Sequence, residues 1–374
     1  MNCVFLGLSI TSTWGNGHAT TYRGLLKELA RRGHSTTFLE RDVPWYSSNR
    51  EFTKATYCKI GLYQSLDELK ERYGRIVRNA DAVVVGSYVP EGIAVGKWVT
   101  STAKSCTAFY DIDTPVTLAN LKRERCEYLS YELCRKYQLY FSFTGGPTLE
   151  FIERKLGSPC ARALYCSVDP SLYYPEPQPS KWDLGYLGTY AADRQPALDN
   201  LLVDVARRQA EHCFVVAGPQ YPGDIQWPAN VERTDHLPAR EHREFYNSQK
   251  FTLNVTRQDM VRAGYSPSVR LFEAAACGVP IITDKWAGLE SFFEAGTEIL
   301  PVSGSQEVIS HLKMPVEQRM EIADRARRRT LRSHSAAARA EEFEVHVFAS
   351  LEAASRSNRR SRAALQQAPS AALI

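Results

Sequence analysis

Short unbroken apolar runs alternate with stretches where leucines recur at helical spacing. Cys3–Leu8 is the first such run and reads as a buried strand. Thr20–Arg32 follows, with Leu25, Leu26 and Leu29 on one helix face and Gly33 as a stop signal. Ser35–Leu39, Ala82–Val85, Thr107–Tyr110, Leu139–Phe143 and Ala161–Leu164 read as further strands. Ser65-Leu-Asp-Glu68 is a capping box, which opens a helix to about Asn79. Strands that are apolar throughout, with helices between them, predict a parallel sheet covered on both faces.

The rhythm breaks at Asp169–Ser180, where four prolines fall in DPSLYYPEPQPS. This predicts an exposed linker. It then resumes, with strands at Asp183–Leu187, Cys213–Ala217, Phe251–Val255, Pro280–Thr283 and Glu298–Val302. Helices are predicted at Pro196–Ala210, Ser268–Cys277, Ser305–Arg332 and Ala336–Ala354. The expected plan is α/β, with a Rossmann-like domain over 1–170, a linker over 171–182 and a second Rossmann-like domain over 183–335. A helix over 336–354 and a disordered tail over 355–374 complete it. Open α/β sheets bind ligands beyond the carboxyl ends of their strands, so two such sheets predict a site in the cleft between them.

Composition narrows the function classes. Of 374 residues, 44% are hydrophobic and 24% charged, as in an ordinary globular protein. Lys+Arg minus Asp+Glu is 46 − 42 = +4, which gives no basis for nucleic acid as a partner. No apolar run reaches the roughly 18 residues of a membrane span, and MNCVFLGLSITST reads as a first strand rather than a signal peptide. The nine cysteines form no CxxC pair, which points to reduced thiols, a cytoplasmic setting and no metal.

Two segments carry candidate chemistry. Ser12–His18 links the first strand to the first helix. Asn16 and Gly17 there let backbone approach a ligand, and His18 stands where an imidazole could take a proton near neutral pH. A tight turn with His18 as a cap is the alternative. Gly264–Thr283, GYSPSVRLFEAAACGVPIIT, is more informative. Ser268 is the expected N-cap, and Arg270 and Glu273 share one face of the helix. A cation beside free backbone N–H groups suits a diphosphate, and a carboxylate one turn deeper suits a ribose diol. Asp111-Ile-Asp113 is read as acceptor-cleft residues or helix caps rather than metal ligands. Gly145 and Gly146 either line the acceptor side or form a turn.

These stretches resemble a known group. LFEAAACGVPIIT looks like the nucleotide-sugar site of GT-B glycosyltransferases. TGGPTLEFIERKLG at 144–157, CSVDPSLYYP at 166–175 and SVRLFEAAACG at 268–278 resemble CgeB-like glycosyltransferases, which share a carboxy-terminal domain type with retaining glycosyltransferase family 4. GNGHATTYRGLLKELARRGH at 15–34 is similar to the first loop and helix of GT-B enzymes.

The resemblance implies a GT-B fold, with two Rossmann-like domains facing an interdomain cleft. Glu273 would hold the donor ribose. Arg194 and Arg270 would face the diphosphate, Gly188 would follow the donor domain's first strand, and Gly218-Pro219 would lie beside the nucleobase. Family 4 commonly carries an earlier glutamate where this chain has Tyr265, and a lysine where it has Gln195. The implied reaction is sugar transfer from a UDP, GDP or dTDP sugar to a glycan, lipid, protein or small-molecule hydroxyl. It would be retaining and would need no cofactor beyond the donor. Alternatives are a GT-B epimerase or hydrolase of nucleotide sugars, and a non-catalytic glycan-binding protein of spore or envelope assembly.

Overall fold

The computed structural model describes residues 1–13 and 17–366. Trp14, Gly15 and Asn16 lie outside the described residues, as do 367–374.

Two parallel sheets form the chain. The first holds β1 (Asn2–Gly7), β2 (Ser35–Arg41), β3 (Lys59–Tyr63), β4 (Ala82–Gly86), β5 (Cys106–Asp111), β6 (Leu139–Ser142) and β7 (Ala161–Ala163). Their order is β3-β2-β1-β4-β5-β6-β7. The second holds β8 (Trp182–Leu187), β9 (Phe214–Ala217), β10 (Val231–Thr234), β11 (Gln249–Asn254), β12 (Ile281–Asp284) and β13 (Leu300–Val302), ordered β10-β9-β8-β11-β12-β13. All pairs are parallel. In each sheet the order reverses at the first strand, so β1/β4 and β8/β11 are switch points where a crevice opens.

The strands form because their residues are buried on both faces: β4, AVVVG, and β9, FVVA, are inaccessible throughout. The helix His18–Arg31 lays Tyr22, Leu25, Leu26 and Leu29 on one face of the first sheet and ends where Gly33 takes φ +85°. At the capping box, Ser65 accepts from the Glu68 N–H, while Glu68 accepts from the N–H of Gln64 rather than of Ser65.

The linker is largely exposed, Pro175, Pro177 and Pro179 included, but it is anchored at two points. Asp169 pairs with Lys27, and Tyr173 is buried against the second domain. The last helix, Ala336–Gln366, runs beyond Ala354 and returns to the first domain. Its Phe343 ring lies 5.7 Å from Phe5 and 5.5 Å from Phe141, and its Glu344 pairs with Arg32 and His34. Where this helix begins, Val168 and Ser335 form a β-bridge, so both chain crossings between domains run side by side. Buried Arg339 fastens this point, donating to the carbonyls of Tyr165 and Ser333 and to Glu342.

No helix among the described residues is long and apolar enough to cross a membrane.

Candidate functional site

The donor half of the cleft is built on β8, β9 and the helix Val269–Ala276. β8 ends at Leu187, and Gly188 follows with its N–H on the carbonyl of Ala217. Only glycine fits the crossing loop: a Cβ on Gly218, at φ +141°, would lie 2.1 Å from the Gly188 carbonyl oxygen. Pro219 is exposed beyond it, and its carbonyl accepts from the N–H of Tyr190.

Arg270 is buried in the first turn of the donor helix. Its Nε donates to the Leu187 carbonyl at 2.5 Å and Nη1 to Asn254 Oδ1 at 2.8 Å, with the guanidinium over the Tyr186 ring. Ser268 is at the N-cap position, but its side chain caps nothing. One turn deeper, Glu273 accepts from Tyr246 Oη at 3.0 Å. Arg194 precedes the helical stretch that begins at Gln195 and bonds the Thr189 carbonyl. Burial pushes its pKa down, and the charges of Arg270 and Arg257 add to that. Three arginines therefore converge, and none pairs with a carboxylate among the described residues. Among the described residues their charge is opposed only at a distance, by Asp113 on the facing wall.

The opposite wall belongs to the first domain. His18 begins the first helix, with exposed Gly17 at its N-cap position, and its ring lies 5.4 Å from that of Tyr88. Burial lowers the His18 pKa to about 4, so the imidazole is neutral near pH 7. That corrects the expectation of proton uptake near neutrality; a neutral ring instead suits hydrogen bonding to a hydroxyl. Tyr88 is held at φ +63°, in the left-handed region that a bulky residue rarely adopts, and donates to Asp113 Oδ2 at 3.0 Å. Burial raises the Asp113 pKa, while the nearby Arg257 charge opposes the rise. Asp113 occupies the N-cap position of the helix Thr114–Lys122 without capping it through its side chain.

Asp111 is not a cleft residue. It is fully buried, accepting from Tyr140 Oη and Thr117 Oγ1, both at 2.6 Å. It braces the helix after β5 from below through Thr117, whereas Asp113 lies beyond the end of the strand, at that helix's N-cap position. Gly145 and Gly146 sit in the contact between domains rather than along an open wall. The Gly145 N–H donates to the Tyr265 carbonyl at 2.9 Å. The Tyr265 ring is wedged between Gly146 and Gly288, and a Cβ on either would come within 2.4 Å of it. Thr144 Oγ1 also donates to Ser266 Oγ at 3.0 Å. Asn16 lies outside the described residues.

Several residues that hold the candidate site's side chains are not foreshadowed by the sequence. Asn254, Tyr246 and Tyr88 were hidden because their roles depend on which strand ends lie together. The one available signal was polar Asn254 ending the apolar run FTLN.

The family described as "Glycosyl transferase-like" matches residues 194–344. No curated protein matches the chain. Among solved structures, a sucrose-phosphate synthase from Thermosynechococcus elongatus is similar at 13% identity and TM-score 0.65, covering 95% of this chain and 100% of that one. Anabaena HepE, solved with UDP and glucose, is similar at 12% identity and TM-score 0.66, covering 93% and 100%. T4 phage BGT, solved with UDP-glucose, is similar at 12% identity and TM-score 0.61, covering 93% and 99%. At such identity the likeness establishes architecture. The chain has the GT-B fold, and the match to the glycosyl transferase-like family lies within its carboxy-terminal half.

Proposed function

We propose that this chain is a CgeB-like glycosyltransferase that moves a sugar from a UDP-sugar to an acceptor hydroxyl in the cytoplasm. The observation that carries this reading is the convergence of Arg194, Arg257 and Arg270, with no carboxylate partner, at the carboxyl ends of β8 and β11. A nucleoside diphosphate is the anion that such a place fits, with its ribose diol toward Glu273 and its base beside Gly218-Pro219. Structures of the same fold that were solved with UDP and UDP-glucose support the choice of nucleotide.

In the reaction the bond from the sugar C1 to the diphosphate oxygen breaks, and the electron pair leaves with the diphosphate. Arg194 and Arg270 stabilise that charge, needing no metal for the purpose. Neutral His18 hydrogen-bonds the sugar; the acceptor oxygen forms its bond to C1 on the face from which the diphosphate leaves, so the configuration is retained, and the departing phosphate takes the acceptor proton. One observation favours a second reading. Asp113 is half-buried on the opposite wall with its pKa raised, which suits a base in an inverting transfer. The anomeric configuration of the product separates the two.

The primary test is a thermal-shift screen with UDP, GDP, dTDP, CDP and ADP on the wild type and Glu273→Ala. UDP is expected to raise the wild-type melting temperature and to leave the variant unshifted. No shift with any nucleotide would sink the proposal.

A further inference from the structure

We propose that Arg257 is a further catalytic residue, which binds the donor diphosphate and links occupancy of the donor site to the acceptor-side carboxylate of Asp113. The inference rests on the donor-site reading above and assigns Arg257 a role within it.

The geometry begins with a short helix, Gln258–Ala263, inserted between β11 and the donor helix, with Arg257 at its N-cap position. Its first residue is fastened to the donor side: the Gln258 N–H donates to Asp193 Oδ2 at 2.9 Å, and Asp193 precedes Arg194. Its body packs across the cleft on the helix Thr114–Lys122 of the first domain, whose N-cap residue is Asp113. The insertion thus spans from the Arg194 loop to the acceptor wall, with Arg257 at the end fastened beside the Arg194 loop. The Arg257 side chain is exposed and makes no hydrogen bond among the described residues. Its charge is felt in both directions, favouring ionised Asp113 and disfavouring protonated Arg194.

An arginine so placed faces a choice of anions. With the donor site empty, Asp113 is the carboxylate it faces. A diphosphate carries more charge and accepts the planar guanidinium bidentately, so it outcompetes Asp113. Donor binding then draws Arg257 toward the phosphates, and Asp113, still held by Tyr88, is left for the acceptor hydroxyl. Arg257 touches the leaving group itself and adds a third positive charge where the diphosphate departs.

A double-mutant cycle on UDP affinity, measured by titration calorimetry on the full chain, tests this. Arg257→Ala is expected to weaken UDP binding about tenfold, the scale of one charge-assisted contact. Asp113→Asn is expected to strengthen UDP binding about threefold, and to do nothing in the Arg257→Ala background. Arg257→Lys should recover part of the loss, since it keeps the charge and loses the fork. Circular dichroism checks that each variant folds. Unchanged UDP affinity in Arg257→Ala, with binding still abolished by Arg270→Ala, would overturn the role of Arg257 and leave the donor site standing. An equal gain from Asp113→Asn with and without Arg257 would overturn the link. No UDP binding by the wild type would remove the donor-site reading and this inference together.

Discussion

The two walls of the cleft treat charge in opposite ways. On the first domain's side, buried Glu40 accepts from the Ile10 N–H at 2.7 Å, the Thr11 N–H at 3.1 Å, Thr11 Oγ1 at 2.6 Å and Ser9 Oγ at 3.0 Å. Asp111 is likewise enclosed by two hydroxyls. Each acid is satisfied by the protein itself. On the second domain's side, Arg194 and Arg270 bond only neutral oxygens, and Arg257 bonds nothing among the described residues. Charge that is fully compensated holds a loop in place, whereas charge left over is available to a ligand. By that criterion the first domain's deepest acids are scaffold, and Arg194, Arg257 and Arg270 are the charges left available to the proposed donor.

Substitution on each wall sharpens the contrast. Glu40→Ala leaves two backbone N–H groups and two hydroxyls without their acceptor, and should cost about 3–5 kcal/mol of stability. Arg194→Ala, which relieves repulsion from its neighbours, should change stability by about 0.5 kcal/mol or less while weakening UDP binding about thirtyfold. Scanning calorimetry and titration calorimetry on the same two variants give both numbers. Equal stability losses would erase the distinction.

A second break point is pH. Burial pushes Asp111 up to about 7, above the ordinary carboxylate value near 4. Between those values the native protein holds a proton that the unfolded chain has released, so this group's contribution falls as pH rises through about 4 to 7. His334, buried and beside Arg339, is lowered to about 3, and its contribution is lost instead as pH falls below about 6.5. The two slopes oppose each other in the wild type. Asp111→Asn removes one of them, so its stability relative to wild type should improve by about 2 kcal/mol between pH 4.5 and pH 8. A difference that stays flat in denaturant titrations would show that Asp111 does not hold its proton.

The smallest effect concerns Ser268. An N-cap serine is ordinarily worth about 1 kcal/mol, but here the side chain makes no cap bond. Ser268→Ala should cost less than about 0.5 kcal/mol and reduce UDP affinity by a few-fold. A full capping loss would return Ser268 to the scaffold.

What could be seen in the sequence follows from physical range. β1, β4, β5, β8 and β9 were legible because central parallel strands must be apolar on both faces. β3, KIGLY, and β10, VERT, were not, because edge strands tolerate polar residues and lose the pattern. Arg270 and Glu273 were legible because one helix turn sets their relationship locally. Glu40, Tyr88 and the enclosure of Asp111 were not, since each is defined by loops from strands far apart in sequence. Asp111 and Asp113 look alike on paper, and what separates a core acid from a half-buried one is that β5 ends at Asp111 and the chain turns into a helix at Asp113.

The paired chain crossings set how the halves can move. The Val168 N–H donates to the His334 carbonyl at 3.1 Å, and the Ala336 N–H to the Val168 carbonyl at 2.8 Å. A single tether would let one half swing and twist about any direction. Two tethers laced together at one place behave as a door hung on adjacent pins: rotation about the line through them costs the pins little, and twist must tear backbone hydrogen bonds. The Gly145–Tyr265 and Thr144–Ser266 hydrogen bonds join the halves away from that line, so any swing about the pins has to break them.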